Sequence, residues 1–285
     1  MMKECLNIYL SPHYDDAILS CGGLIYAQCR AGERVGILTL CTSLPDHVPE
    51  SALARQYLAA WSKSGDGMAN RRVENATVLS NWGVQNWECS TPDAIFRTGG
   101  GTSYYQSRAD LFCEPHIDDA AFLLPVWEEW LQQLADKEKN ILLYAPLGVG
   151  GHVDHELARR LGQRMGQTGW KVCFYEDYPY VELESDGVKV AQAKFESYKW
   201  TSRTVSIDVQ AKIDALRAYH TQIGPVFGCD NDLVRRVKNF TADTACDINY
   251  WERLRAILAP SGRRFRLWRL LFDYHAHAER IWSWS

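Results

Sequence analysis

Two short segments carry the residue types that do chemistry. The first, Ser11-Pro12-His13-Tyr14-Asp15-Asp16-Ala17, sets an imidazole beside two adjacent carboxylates, directly after an apolar run. Histidine nitrogen and carboxylate oxygen are both zinc ligands, and a strand end would hold them rigidly. Neighbouring aspartates point different ways, so one can ligate while the other faces a reacting water. The same residues also suit a solvated turn before a helix, where aspartate is an ordinary cap. The second segment, PLGVGGHVDHELA, places His152 and His155 three apart with Asp154 between them. Its glycines Gly148, Gly150 and Gly151 allow the backbone to approach a ligand closely. Two exposed histidines at a helix start would explain this segment as well. A dinucleotide loop does not: the spacing is not G-x-G-x-x-G, and the loop lies far from the first strand. Together the two segments supply three good metal ligands and spare carboxylates. That set fits amide hydrolysis, where zinc polarises a poor electrophile and lowers the pKa of water toward about 7. Three protein ligands leave the open position that a catalytic metal needs.

Both segments must sit at strand ends for this to work, and the surrounding pattern predicts that they do. Cys5–Leu10, Arg34–Thr42, Val84–Cys89, NILLYAP (140–146) and WKVCFYE (170–176) read as buried strands. AILSCGGLIYAQCRAG closed by Gly32, NRRVENATVLSNWG closed by Gly83, DDAAFLLPVWEEWLQQLADK with a kink at Pro125, and HVDHELARRLGQRMGQ read as helices. Alternation of this kind predicts an α/β fold, a Rossmann-like three-layer sandwich with a mainly parallel sheet and helices on both faces. Ligands bind beyond the carboxyl ends of such strands. This selects the loops Ser11–Ala17, Pro146–His155 and Glu176–Tyr180. Residues 43–66 read as a loop or irregular insertion, and Thr98–Ser107 as a flexible surface loop or a substrate lid. KFESYKWTSRTVSID suggests a pair of antiparallel strands and VQAKIDALRAYHTQI a helix. With no repeat and no low-complexity linker, the expectation is one domain over residues 1–285, with a core to about 225 and a C-terminal elaboration over 226–285.

Composition narrows the classes. A formal net charge of −4 gives no electrostatic push toward nucleic acid. The nine cysteines contain no C-x-x-C pair and several lie in apolar runs, which suggests buried free thiols and a cytoplasmic location. No run of apolar residues is long enough to span a membrane. The basic, aromatic segment RRFRLWRLLFDYHAHAERIWSWS is expected to pack on the domain as a helix or strand, with membrane or partner contact as the alternative, and His275 and His277 as surface or packing residues.

SPHYDDA and GGHVDHELA resemble the paired signatures of the PIG-L, or LmbE-like, deacetylases. Arg71-Arg72-Val73-Glu74 before Trp82-Gly83, Asp93-Ala94-Ile95-Phe96-Arg97, Tyr175-Glu176-Asp177-Tyr178-Pro179-Tyr180, and Lys212 with His220-Thr221-Gln222 resemble further segments of that family, so the likeness spans residues 5–222. The resemblance implies a zinc-dependent hydrolase, with Fe2+ as an alternative metal, that removes an N-acyl group, chiefly acetyl, from a small amino sugar or an N-acetylglucosamine conjugate. It implies His13, Asp16 and His155 as metal ligands and Asp15 as general base. His152 would face the substrate carbonyl, oriented and kept charged by Asp154, and Arg71 and Asp93 would bind substrate. Tyr14 and Ala17 depart from the Pro and Glu of many members, which removes any role for that Glu. Tyr178 or Tyr180 could stack on a sugar. Other readings are a catalytically silent carbohydrate-binding relative and a metal-dependent hydrolase of a non-sugar amide. The expected partner is a small molecule, with no nucleic acid; a homo-oligomer is left open.

Overall fold

The apolar runs form one seven-stranded sheet in the computed structural model, which describes residues 5–44, 51–61, 67–195, 198–246 and 277–284. The strands are β1 (Leu6–Ser11), β2 (Arg34–Ser43), β3 (Gln85–Pro92), β6 (Ile141–Pro146), β7 (Lys171–Tyr175), β8 (Trp200–Ile207) and β9 (His277–Trp284); β4 (Thr98–Gly99) and β5 (Thr102–Ser103) make a separate small hairpin. The sheet order is β3-β2-β1-β6-β7-β9-β8. The pairings from β3 through β7 are parallel, and β9 runs antiparallel to both β7 and β8.

The helices are α1 (Asp16–Arg30), α2 (Ala52–Trp61), α3 (Gly67–Trp82), α4 (Ile117–Ala135), α5 (Val153–Gln167), α6 (Tyr180–Leu183), α7 (Gly187–Ala193), α8 (Val209–Arg217), α9 (His220–Phe227) and α10 (Asp230–Cys246). They cover both faces, which is why the central strands read as continuous apolar runs. Leu6, Ile8 and Leu10 of β1 pack into one core with Leu123 and Trp127 of α4 and Leu157 and Leu161 of α5. Tyr9 points the other way, into a second core with Ile18 of α1, Leu79 of α3, Ile213 of α8 and Val237 of α10. The chain leaves β1 toward β2 on one side, while β6 pairs with its other side. The loops after β1 and β6 therefore flank the point where the winding reverses, the crevice in which such sheets bind ligands.

Several expectations need correction. Part of the stretch expected as loop, Ala52–Trp61, is helix α2, whose buried Leu53 and Ala54 pack with Met68, Ile95 and Phe96. That apolar face is too short to stand out in the sequence. Among its described residues KFESYKWTSRTVSID holds one strand, not two: β8 pairs with β9, Trp200 opposite Trp284 and Ile207 opposite His277. The helix expected over 209–223 breaks between α8 and α9. Helix α4 does include Pro125, as expected for the segment. The C-terminal segment contributes β9 inside the sheet; its residues 263–276, including His275, and residue 285 lie outside the described residues, as do 45–50 and 62–66 of the stretch after β2. His277 packs against α10, its Nδ1 lying 2.8 Å from Thr241 Oγ1. All nine cysteines are free, but only Cys21, Cys41 and Cys89 are buried; Cys5, Cys29 and Cys173 are half-buried and Cys113, Cys229 and Cys246 exposed. Among the described residues, no helix is long and apolar enough to cross a membrane.

β9 is pinned by a buried ion pair. Lys212 Nζ donates to Glu279 Oε1 at 2.6 Å and to the Ser20 carbonyl at 3.2 Å. The Glu279 carboxylate also accepts from the Gly23 and Leu24 amides of α1, at 3.0 and 2.7 Å. Both side chains are nearly sealed from solvent, at 1% and 2% exposure. Removing one partner strands the other charge, so Glu279→Ala is expected to lower the unfolding free energy by about 3–5 kcal/mol. Denaturant titration measures this, and a loss below about 1 kcal/mol would mean that solvent reaches the lysine in the variant.

Candidate metal centre

The β1 loop turns into α1 through Asp15, which occupies the N-cap position yet makes no side-chain cap bond. Its Oδ1 instead accepts from Arg71 Nη2 of α3 at 3.0 Å. Asp16, one residue on, faces the opposite way: its Oδ2 accepts from the His13 amide at 2.8 Å and lies 3.1 Å from His13 Nδ1 and 3.3 Å from His155 Nε2. The two neighbouring carboxylates thus separate as their spacing suggested.

The β6 loop brings the second pair of histidines to the same place. The three rings form a triangle, with centroids 5.4 Å apart for His13 and His152, 5.9 Å for His13 and His155, and 5.6 Å for His152 and His155. The loop depends on glycine. Gly150 has φ +85°, and a Cβ there would come within 2.6 Å of Tyr180 Cγ. The amides of Gly148 and Val149 donate to Asp177 Oδ2 at 2.8 and 2.9 Å. Asp177, in the loop after β7, passes its other oxygen to His155 Nδ1 at 2.7 Å.

His13, Asp16 and His155 each offer a donor atom, all within 4.8 Å of one another, a grouping that could hold a metal ion. The donor chemistry fits a divalent cation. Each of the two rings is flanked by carboxylates on both nitrogens. His13 lies between Asp16 and, at Nε2, Asp154 (3.0 Å) and Asp93 (3.3 Å); His155 lies between Asp16 and Asp177. Burial alone would depress both histidines. The Asp93 charge and bonds to Asp154 and Asp16 instead hold His13 well above its ordinary value. Asp16 and Asp177 raise His155 to about 10. His13 Nδ1 and His155 Nε2 both face one carboxylate oxygen of Asp16, an arrangement that one divalent ion can bridge. The outer nitrogens keep their carboxylate partners, the arrangement that orients metal-bound histidines. His13 and Asp16 retain 13% and 11% side-chain exposure, so the centre opens to solvent on their side.

A second grouping, His13, His152 and Asp154, is equally close, but its carboxylate is already committed. Asp154 Oδ1 takes Arg97 Nη2, and Oδ2 takes His13 Nε2 at 3.0 Å and the Ala94 amide at 3.3 Å. The Asp154 carboxylate is thus turned to Arg97 and His13. His152 caps α5, its Nδ1 accepting from the Asp154 amide at 3.3 Å. An accepting nitrogen carries no proton. Burial, with His13 and His155 close by, brings its pKa down to about 4 despite the Asp154 charge. With Nδ1 accepting, a neutral ring would carry its proton on Nε2.

Arg71 and Asp93 lie within the same cluster: Arg71 on Asp15, and Asp93 beside His13, its Oδ1 accepting from the Ile95 amide at 3.1 Å. Tyr178 is 2% exposed and packs at a tilt against Phe240, 4.9 Å between ring centroids, so it is not available to a ligand. Tyr180 stands edge-on to His155 at 5.4 Å, and Phe112, 40% exposed, edge-on to His152 at 5.4 Å. The sequence reading gave no role to Asp177, Arg97, Asp119 or Phe112. Asp177 was within reach, because it lies on a loop after a parallel strand. Asp119 carries no local signal, since in sequence it is one more acidic residue in the first turn of α4.

No model of a known protein family matches the chain. It is 29% identical over 233 residues to a 2'-N-acetylparomamine deacetylase from Niallia circulans, covering 78% of this chain and 82% of that protein. A protein of the same name from Streptomyces fradiae is 27% identical over 225 residues, covering 78% and 75%. The zinc-inhibited form of teicoplanin deacetylase Orf2 superposes with a TM-score of 0.74 at 18% identity, over 98% of both chains. A deacetylase solved in complex with teicoplanin gives 0.72 at 20% identity, over 98% of this chain and 99% of that one. At those identities the structures share the fold.

Proposed function

We propose that this chain is a metal-dependent N-deacetylase of amino sugars, with His13, Asp16 and His155 holding one divalent cation, zinc or Fe2+. The observation that carries the reading is the convergence of those three donors at the crevice between β1 and β6, each histidine backed on its outer nitrogen by a carboxylate. The names of the two sequence relatives support the choice of an N-acetylated amino sugar as substrate. The strand order supports a Rossmann-like three-layer core.

A bound ion would supply Lewis acidity at the acyl carbonyl and bring the pKa of water toward about 7. Asp15 takes a proton from the attacking water and delivers it to the departing nitrogen. A C–O bond forms, the C–N bond breaks, and acetate and a free amine result. Arg71 keeps the Asp15 carboxylate turned away from Asp16. His152 acts as a neutral donor: Nε2–H is directed to the carbonyl oxygen, while Nδ1 is tied to the Asp154 amide. A helix N-terminus disfavours imidazolium, and neutral imidazole still stabilises a developing oxyanion. His152→Ala is therefore expected to lower kcat by about 10²–10³ with metal content unchanged. Loss of metal in that variant would make His152 a ligand instead.

The test of function is acetate release from a panel of N-acetylated amino sugars by the metal-loaded protein, repeated after chelation and after metal is restored. Chelator-sensitive release, recovered by the metal, is the expected result. Sugar binding without acetate release would favour a silent carbohydrate-binding protein, and release from non-sugar amides alone would place the substrate elsewhere.

A further inference from the structure

The first carboxylate behind His13 is itself held by a residue outside the ligand set. Asp154 is completely buried, and a carboxylate in that position needs a compensating charge. Arg97, 4% exposed at the end of the Asp93–Arg97 turn, supplies it through Nη2 on Asp154 Oδ1. On its other side, Arg97 Nε pairs with Asp119 Oδ2 of α4 at 3.3 Å. Asp119 Oδ2 also accepts the Tyr105 hydroxyl at 2.7 Å, and that hydroxyl oxygen accepts from the His116 amide at 3.1 Å. The guanidinium is thus clamped between a carboxylate of the metal centre and one on a helix that supplies no ligand.

We infer that Arg97 is a positioning residue for the metal centre. It keeps Asp154 against His13 Nε2, and so keeps His13 Nδ1 turned to Asp16. Asp93 lies 3.3 Å from the same Nε2, but it is also the cap of its own turn, its Oδ1 taken by the Ile95 amide. Without Arg97 the sealed Asp154 loses the partner that fixes its carboxylate, and the side chain is free to swing off His13 Nε2. The imidazole, no longer held from behind, is then free to turn its ligating nitrogen away. Asp119 has the matching task of fixing the guanidinium from behind.

This inference rests on the metal-centre reading above, and the experiment separates the two. Wild type, Arg97→Met, Arg97→Lys and Asp119→Asn are prepared without metal, and Zn2+ affinity is measured by competition with a chromophoric chelator. Thermal unfolding and the visible spectrum of the Co2+-loaded form are recorded alongside. Partners behind metal ligands are typically worth 10–100-fold in metal affinity. Arg97→Met is expected to lose affinity in that range and to shift the Co2+ bands, Arg97→Lys to recover part of the loss, and Asp119→Asn to fall between lysine and wild type. If Arg97→Met does not fold, the comparison of Arg97→Lys and Asp119→Asn with wild type decides. Folded variants that bind Zn2+ as wild type does, with an unchanged Co2+ spectrum, would overturn the role of Arg97 and reduce the clamp to a structural ion pair. A wild type that binds no metal would overturn the metal-centre reading itself.

Discussion

Asp15→Asn is expected to lower kcat by about 10²–10⁴ while the protein keeps its metal, because proton transfer by a positioned carboxylate is worth that much. Asparagine has the shape of aspartate but cannot take a proton from water. Asp15 makes no contact with His13, Asp16 or His155 among the bonds of the centre; its partner is Arg71. The ligands should therefore stay in place. The variant does remove one ion-pair partner of the buried Arg71 guanidinium, which costs some stability. Turnover is accordingly compared per mole of folded, metal-loaded protein, with metal measured by elemental analysis. A variant with full metal content and near-normal kcat would show that some other group accepts the proton.

His155→Ala is expected to abolish both metal binding and acetate release. His155 is 2% exposed and joins two carboxylates, with Nε2 at 3.3 Å from Asp16 and Nδ1 at 2.7 Å from Asp177. Alanine removes one of three donors and leaves Asp177 with only the Gly148 and Val149 amides. Two remaining ligands from one loop, His13 and Asp16, do not make the three-ligand site that a catalytic metal needs. Metal content after dialysis and acetate release are measured together. Stoichiometric metal in the variant would remove His155 from the ligand set and move attention to the grouping of His13, His152 and Asp154.

Much of the fold and the centre was legible because the signals are local. The apolar runs that became β1, β2, β6 and β7 are buried on both faces, so they read as strands without any partner in view. Once strands and helices alternate, the ends of the parallel strands are where functional side chains gather. His13, Asp15, Asp16, His152, Asp154 and His155 could be picked out on that basis. Helix α2 was missed because its buried side chains pack against residues brought in from later turns.

What the chain's own pattern could not reveal is any relation that depends on side chains meeting across a long stretch of sequence. β9 pairs with β7 and β8 across a long interval of sequence, so nothing beside β8 announces its partner. The separation of Asp15 from Asp16 was foreseeable, but the arginine that takes Asp15 was visible only as a candidate substrate contact. The surroundings of His152 were hidden for the same reason. Adjacency in sequence suggested that the Asp154 carboxylate would hold the ring. In the fold the Asp154 amide caps onto His152 while its carboxylate turns to His13 and Arg97. Residue type and spacing determine which groups can reach the crevice. The direction in which each group points is set by burial, because every sealed charge must find a partner, and those partners are chosen by packing rather than by proximity along the chain.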